Sequence, residues 1–215
     1  MPPKIKIAVN LDHALFRQGL TTLIGSYPDL KLLFETFEEK ELLHALKKQQ
    51  PHILLLGLHL PDPTGAAIVS DIKTLYPNIR ILIILPVQDE ALIFDLVKKG
   101  ANGFITKQDG MEQVMRAIHT VREKGFYHTE EVTHAMLSGV RNRQKIRTSL
   151  NSADLTEREL EIIRLICKQY SLKDIAAELT LSPRTVETHK EHILMKTGAK
   201  NIAGIVLYAV EHHLL

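Results

Sequence analysis

Few residues in this 215-residue chain are typed and spaced for chemistry. Asp12, and Asp62 in a loop with His13 and His59 nearby, offer carboxylates and imidazoles that can accept a phosphoryl group or hold a metal ion. Lys107 can contact an anion. Each residue also has a plainer reading: Asp62 in PDPTG is a turn residue, His13 belongs to the first turn of a helix, His59 sits in a loop, and Lys107 pairs with Asp12 or reaches solvent. A second set lies far along the chain, where Arg184, Glu187, Thr188 and Glu191 stand at i, i+3, i+4 and i+7 and share one polar helix face. Between the two sets, RNRQKIR at 141–147 concentrates positive charge without an acid, as a solvated linker or a phosphate-contacting arm.

The length suits two modest domains, and a 45% apolar share with 24% charged residues makes the chain globular. One cysteine, Cys167, leaves no intramolecular disulfide or Cys-rich metal site. The start, MPPKIKIAVN, enters a strand pattern directly, and no apolar run nears the roughly 20 residues that cross a bilayer. A cytoplasmic, non-membrane protein is expected. IKIAV (5–9), LKLLFE (30–35), HILLL (52–56), IRILIIL (79–85) and NGFIT (102–106) read as strands, with helical patterns near 13–25, 38–49, 66–76, 89–99 and 110–123. Asp89 and Asp109 are placed as N-caps, Asp109 with Glu112 approximates a capping box, and Gly100 ends a helix. This alternation predicts an α/β domain with a five-stranded doubly wound parallel sheet over residues 1–125.

Ligands of such sheets gather at the carboxyl ends of the strands, here Leu11 and Asp12, Gly57, Leu85 and Lys107. VNLDHALFRQGL, LLLGLHLPDPTG and KKGANGFITK, in that order and spacing, resemble the receiver domain of bacterial response regulators. The resemblance implies two acids after the first strand and an aspartate after the third. These would hold magnesium and accept a phosphoryl group, a task for hard oxygen ligands. The corresponding residues are Leu11, Asp12 and Gly57, so one carboxylate of the three remains. Leu85 stands where the family places a Thr or Ser hydroxyl, Phe104 where it places a reorienting aromatic, and Lys107 where it places the phosphate-contacting lysine. The expectation is a degenerate site, with no cofactor and lost magnesium binding.

Residues 126–149 read as a linker, with a helix at 129–137 before the basic run. From 150 to 215 the pattern is all helical. Thr156 with Glu159 and Ser171 with Asp174 make capping boxes, and Ser182-Pro183 opens a third helix after a tight turn. Leu160, Ile163, Ile166, Ile175, Ala176, Leu179, Val186 and Ile193 fall at core-facing intervals. LTERELEII, KDIAAEL and LSPRTVETH resemble the LuxR-type DNA-binding domain, a small four-helix helix–turn–helix unit. With the first domain they resemble NarL/FixJ-type response regulators. That likeness implies a third helix in the major groove and homodimerisation through the last helix, about 202–213.

It also implies that Glu187, Thr188 and Glu191 face bases. A carboxylate there can accept from the cytosine amino group, unless Glu187 or Glu191 instead pairs with Lys190 or Arg184. Lys173, Arg184, Lys190, Lys196 and Lys200 are the candidate phosphate contacts. The function expected is a non-enzymatic, DNA-binding transcriptional regulator independent of phosphorylation. Its partners would be double-stranded DNA, a second copy, and an unknown protein or small molecule acting on the receiver-like domain. The alternatives are modification at Asp12 or Asp62, or an adaptor that does not bind DNA.

Overall fold

The computed structural model describes residues 3–58, 65–85, 90–127, 129–144, 155–212 and 214. Asp62, His59, Asp89 and the end of the basic run, 145–147, lie outside them. The first part runs β1 (Ile5–Asn10), α1 (Ala14–Ser26), β2 (Leu30–Thr36), α2 (Glu39–Lys48), β3 (Ile53–Gly57), α3 (Gly65–Leu75), β4 (Arg80–Leu85), α4 (Glu90–Lys99), β5 (Gly103–Thr106) and α5 (Met111–Lys124). All five strands are parallel, in the order β2-β1-β3-β4-β5. The fold is the doubly wound sheet expected from the alternating pattern.

Period-two alternation assigns the strand residues to two layers. Ile7, Val9, Leu55 and Ile84 pack under α1 and α5, while Ala8, Leu54, Leu56 and Ile83 pack under α2, α3 and α4. Strand order reverses between β1 and β3, which places Leu11 and Gly57 side by side at the carboxyl edge.

Two local expectations need correction. Gly110, not Asp109, caps α5, because the Asp109 carboxylate turns back to accept from the Thr106 N–H at 2.7 Å, and the Asp109–Glu112 capping box does not form. His13 lies just before α1 rather than in its first turn, and its ring nitrogen accepts from the Phe16 N–H at 3.2 Å. Gly100 does end α4, in a left-handed conformation (φ 109°) where a Cβ would meet Lys73 Cγ at 2.7 Å.

Beyond α5 come α6 (Glu130–Gln144), α7 (Glu157–Cys167), α8 (Leu172–Glu178), α9 (Pro183–Thr197) and α10 (Ile202–Glu211). Helix α6 is longer than the expected 129–137 segment and carries the start of the basic run. It packs on α4 through the buried Val132, Ala135 and Met136, so this segment is docked on the first domain. Helices α7 to α10 surround their own core of Ile162, Ile163, Ile166, Ile175, Val186, Ile193 and Ile205. Leu160 is only half-buried, and Ile162 takes the core position expected of it. No single helix among the described residues is long and apolar enough to cross a membrane.

Lys73 on α3 is 5% exposed, and its ammonium donates to the Ile79 carbonyl at 2.5 Å. Burial, aided by the charge of Arg80, pulls it down to about 7. An unfolded lysine titrates near 10.4, so from about pH 7 to 10 the unfolded chain binds the extra proton and stability rises with pH. Lys73→Met keeps the apolar stem and removes the charge. Relief of the buried charge is offset by the Ile79 carbonyl left without its donor, about 1–3 kcal/mol, so the net stabilisation is expected to be on the order of 2 kcal/mol at and below pH 7, with the gain lost towards pH 10. Denaturant melts across that range check both the size and the slope.

Candidate functional site

At the carboxyl edge of the sheet, Leu11 and Leu85 are each 1% exposed and Phe104 is buried. A Cβ built on Gly57 would lie 2.5 Å from Leu11 Cδ2. Leu11 therefore occupies the space that a side chain at position 57 needs. Asn10 turns its amide away, donating to Thr36 Oγ1 at 2.9 Å, and Arg17 donates to the Leu11 carbonyl at 2.5 Å. Asp12 and Lys107 are both exposed at the rim. Magnesium prefers near-octahedral oxygen ligation. Leu11 and Gly57 bring no side-chain oxygen, so the residues gathered here do not fit that ion. Among the described residues there is no cluster of three or more His, Cys, Asp or Glu suited to a metal.

In the helical part, each start is set by its cap. Thr156 accepts from the Glu159 N–H at 3.2 Å while Glu159 accepts from the Thr156 N–H at 2.8 Å, and Ser171 with Asp174 repeats the arrangement. Ser182 caps α9 with Pro183 in the first turn, and Thr180 makes the preceding turn at φ 54°. These caps fix the angle at which α9 leaves α8.

Helix α9 presents Arg184 and Thr188 to solvent, with Glu187 and Glu191 beside them. Glu187 forms an ion pair with Lys190 on the same helix. Of the cations singled out in the sequence, Lys173, Arg184 and Lys200 are exposed, and Lys190 is engaged by Glu187. Lys196 is also committed, donating to Glu159 Oε2 at 2.7 Å. Glu159 is 2% exposed, and although burial raises its carboxyl, Lys196 and Thr156 together hold it below the ordinary carboxylate range. Lys196→Met strands this buried carboxylate. It is expected to cost roughly 1–3 kcal/mol at neutral pH, a loss read in thermal melts that shrinks as the pH falls through the carboxylate range.

The two parts of the molecule are joined face to face. Ala203 and Leu207 of α10 are buried against the first domain's core, and Asn201 donates through one amide nitrogen to the carbonyls of Gly100 and Ala101, both at 2.7 Å. Lys98 and Glu211 pair at 2.8 Å. Glu187, Lys190, Glu191 and Leu194 of α9 line a cleft of about 350 Å³ whose other wall includes Pro77, Arg80 and Lys124 of the first domain. Burial and Arg122 pull Arg80 below the usual guanidinium range, while Glu187 pulls the other way. The inner part of the polar α9 face thus looks at protein.

Asn201, Lys98, Glu211 and Arg80 escaped sequence reasoning. The available signal was IAGIVLYAV at 202–210, apolar all round, the mark of a helix buried on more than one side.

Residues 7–119 match the response regulator receiver domain model, and residues 153–209 match that of the luxR family of bacterial regulatory proteins. The oxygen regulatory protein NreC of Staphylococcus epidermidis is 32% identical over 216 residues, covering 98% of this chain and 99% of that protein. Its Staphylococcus aureus counterpart is 33% identical over 215 residues, with 98% and 99% covered. Among solved structures, RcsB of Salmonella enterica serovar Typhimurium bound to a promoter superposes with a TM-score of 0.57 at 20% identity, covering 97% and 99% of the chains. Two RcsB dimers on two parallel DNAs give 0.55 at 21%, covering 97% and 98%. At these identities the likeness is one of fold.

Proposed function

The chain belongs to the bacterial response regulators that join a receiver domain to a LuxR-family helix–turn–helix domain, and from that membership we propose a transcriptional regulator controlled without phosphoryl transfer. The observation that carries the reading is Leu11 lying 2.5 Å from where a Cβ at residue 57 would stand. The site lacks two of three metal-holding carboxylates, the acceptor among them, and a side chain at 57 must displace the Leu11 methyl. It acts as a cytoplasmic regulator rather than an enzyme.

Residues 1–125 form the receiver-like domain, 126–149 the connection and 150–215 the DNA-binding domain. Glu187, Thr188 and Glu191 read base edges, while Lys173, Arg184 and Lys200 contact phosphates and make affinity salt-dependent. Lys190 and Lys196 join them only after leaving Glu187 and Glu159. A major groove about 12 Å wide must surround α9. A cleft of about 350 Å³ facing protein has no room for a duplex, so the described arrangement is a closed form. Helix α10 has a parallel conflict: the apolar surface it would offer a second copy is packed on α4 and α6. DNA binding as a homodimer, as RcsB is seen on DNA, requires the domains to part.

Acetyl phosphate with magnesium is expected to leave the intact mass unchanged and to leave affinity for duplexes selected from a randomised pool unaltered. A phosphoryl adduct, at Asp12, Asp62 or elsewhere, overturns the phosphate-independent reading. Failure to select any duplex motif, even with the domains opened by substitution, favours an adaptor.

A further inference from the structure

A second interdomain space lies behind α10. We propose that the cavity of about 410 Å³ enclosed by α5, α6, α7 and α10 binds a small, mainly apolar monoanion, an aromatic or branched aliphatic carboxylate or sulfonate, and that filling it holds the domains closed. The proposal rests on the closed-form reading above.

The volume is that of a ligand pocket, and a boundary between domains is a place where such pockets recur. The floor is apolar: Met136 comes from α6, Ile166 from α7, and Ile202, Val206 and Val210 from α10. Phe126 and Tyr170 supply aromatic walls. Leu137 and Tyr170 are 39% and 40% exposed, two of the seven large hydrophobic residues left exposed among the described residues, and both border this space. Cys167 adds a neutral wall, since burial pushes its thiol up to about 11.

The chemistry at the mouth selects the ligand's charge. Among the described lining residues, Lys124, exposed at the end of α5, is the one cation, and none is a carboxylate. Asp174 feels the Lys124 charge, but its carboxylate is already bonded to the Ser171 N–H and hydroxyl at 3.0 and 2.7 Å. Thr120 and Thr133 complete the polar edge. An anion on Lys124 with its body over Met136 and Val206 satisfies both parts of the site.

The walls come from both domains, so the site exists only while they are together. A ligand at 100 times its Kd then favours the closed form about 100-fold and weakens duplex binding by up to the same factor. This supplies a switch to a receiver whose own pocket has lost its chemistry.

The test uses the full chain with 8-anilinonaphthalene-1-sulfonate and its uncharged analogue N-phenyl-1-naphthylamine as probes. The anion is expected to bind one per chain and to weaken duplex binding. Lys124→Gln should weaken the anionic probe about tenfold and spare the neutral one, while Thr133→Trp, at an exposed position on the rim, should exclude both. Binding indifferent to both substitutions, or without effect on duplex affinity, overturns the proposal. Asn201→Asp separates the two ideas. If it frees duplex binding but the probe never opposes that binding, the site fails and the closed form stands. If it leaves duplex binding unchanged, the closed form fails and the proposal falls with it.

Discussion

Asn201→Asp is expected to raise affinity for duplex DNA by roughly 10- to 100-fold, with no loss of folding. The Asn201 amide nitrogen donates to the carbonyls of Gly100 and Ala101, while its Oδ1 caps α10 by accepting from the Gly204 N–H at 2.9 Å. Aspartate retains the acceptor and hence the cap, but turns the other oxygen against two carbonyls. Two hydrogen bonds at about 0.5–1.5 kcal/mol each, plus the repulsion that replaces them, account for about 1.4–2.8 kcal/mol of closure, and each 1.4 kcal/mol is tenfold in affinity. Lys98→Glu opposes Glu211 across the same joint and should give a smaller gain, a few-fold, as befits a partly exposed pair. Adding Glu211→Lys to Lys98→Glu should return affinity to its starting value. Titration of labelled duplex at fixed salt reads all four proteins. Equal affinity throughout would mean that the joint does not restrain α9.

Gly57→Asp is expected to cost at least about 3 kcal/mol and still to accept no phosphoryl group. Overpacking Leu11 contributes about 1–3 kcal/mol, and a carboxylate placed beside Leu11 and Leu85, both 1% exposed, adds desolvation. Gly57→Ala isolates the packing share. In a cycle with Leu11→Ala, the double variant should be more stable than the two single losses predict, by about 1–2 kcal/mol, because shortening Leu11 makes room for the new methyl. Only the combined Leu11→Asp, Gly57→Asp and Leu85→Thr protein, with the native Asp12 and Lys107, is expected to gain a phosphoryl adduct with acetyl phosphate and magnesium. Urea melts and intact mass decide both points. An adduct on the single variant would show that Leu11 yields easily.

The parts legible in sequence were those set by short-range rules. Aliphatic runs marked the strands, and Thr156–Glu159, Ser171–Asp174 and Ser182-Pro183 announced their helix starts because a cap needs only three or four neighbouring residues. Asp109 misled because a carboxylate before a helix can equally turn back to a loop N–H, as it does to Thr106. That Gly57 ends its strand could be read from the aliphatic run before it, yet its neighbour in space could not, since Leu11 and Gly57 meet only through parallel strand pairing. On α9 the spacing of Glu187 and Glu191 described a face but not what the face looks at. That depended on Asn201 reaching residues about a hundred positions away.

The contact between Leu11 and position 57 also bears on how the pocket could be rebuilt. With leucine at 11, an acid introduced at residue 57 alone meets the Leu11 methyl and is expected to destabilise the protein without making it a phosphoryl acceptor. A rebuilding route is therefore expected to begin at Leu11 and to accept a hollow there before any acid is added. The order of substitution, and not only the choice of residues, is then what an acceptor engineered at this edge of the sheet depends on.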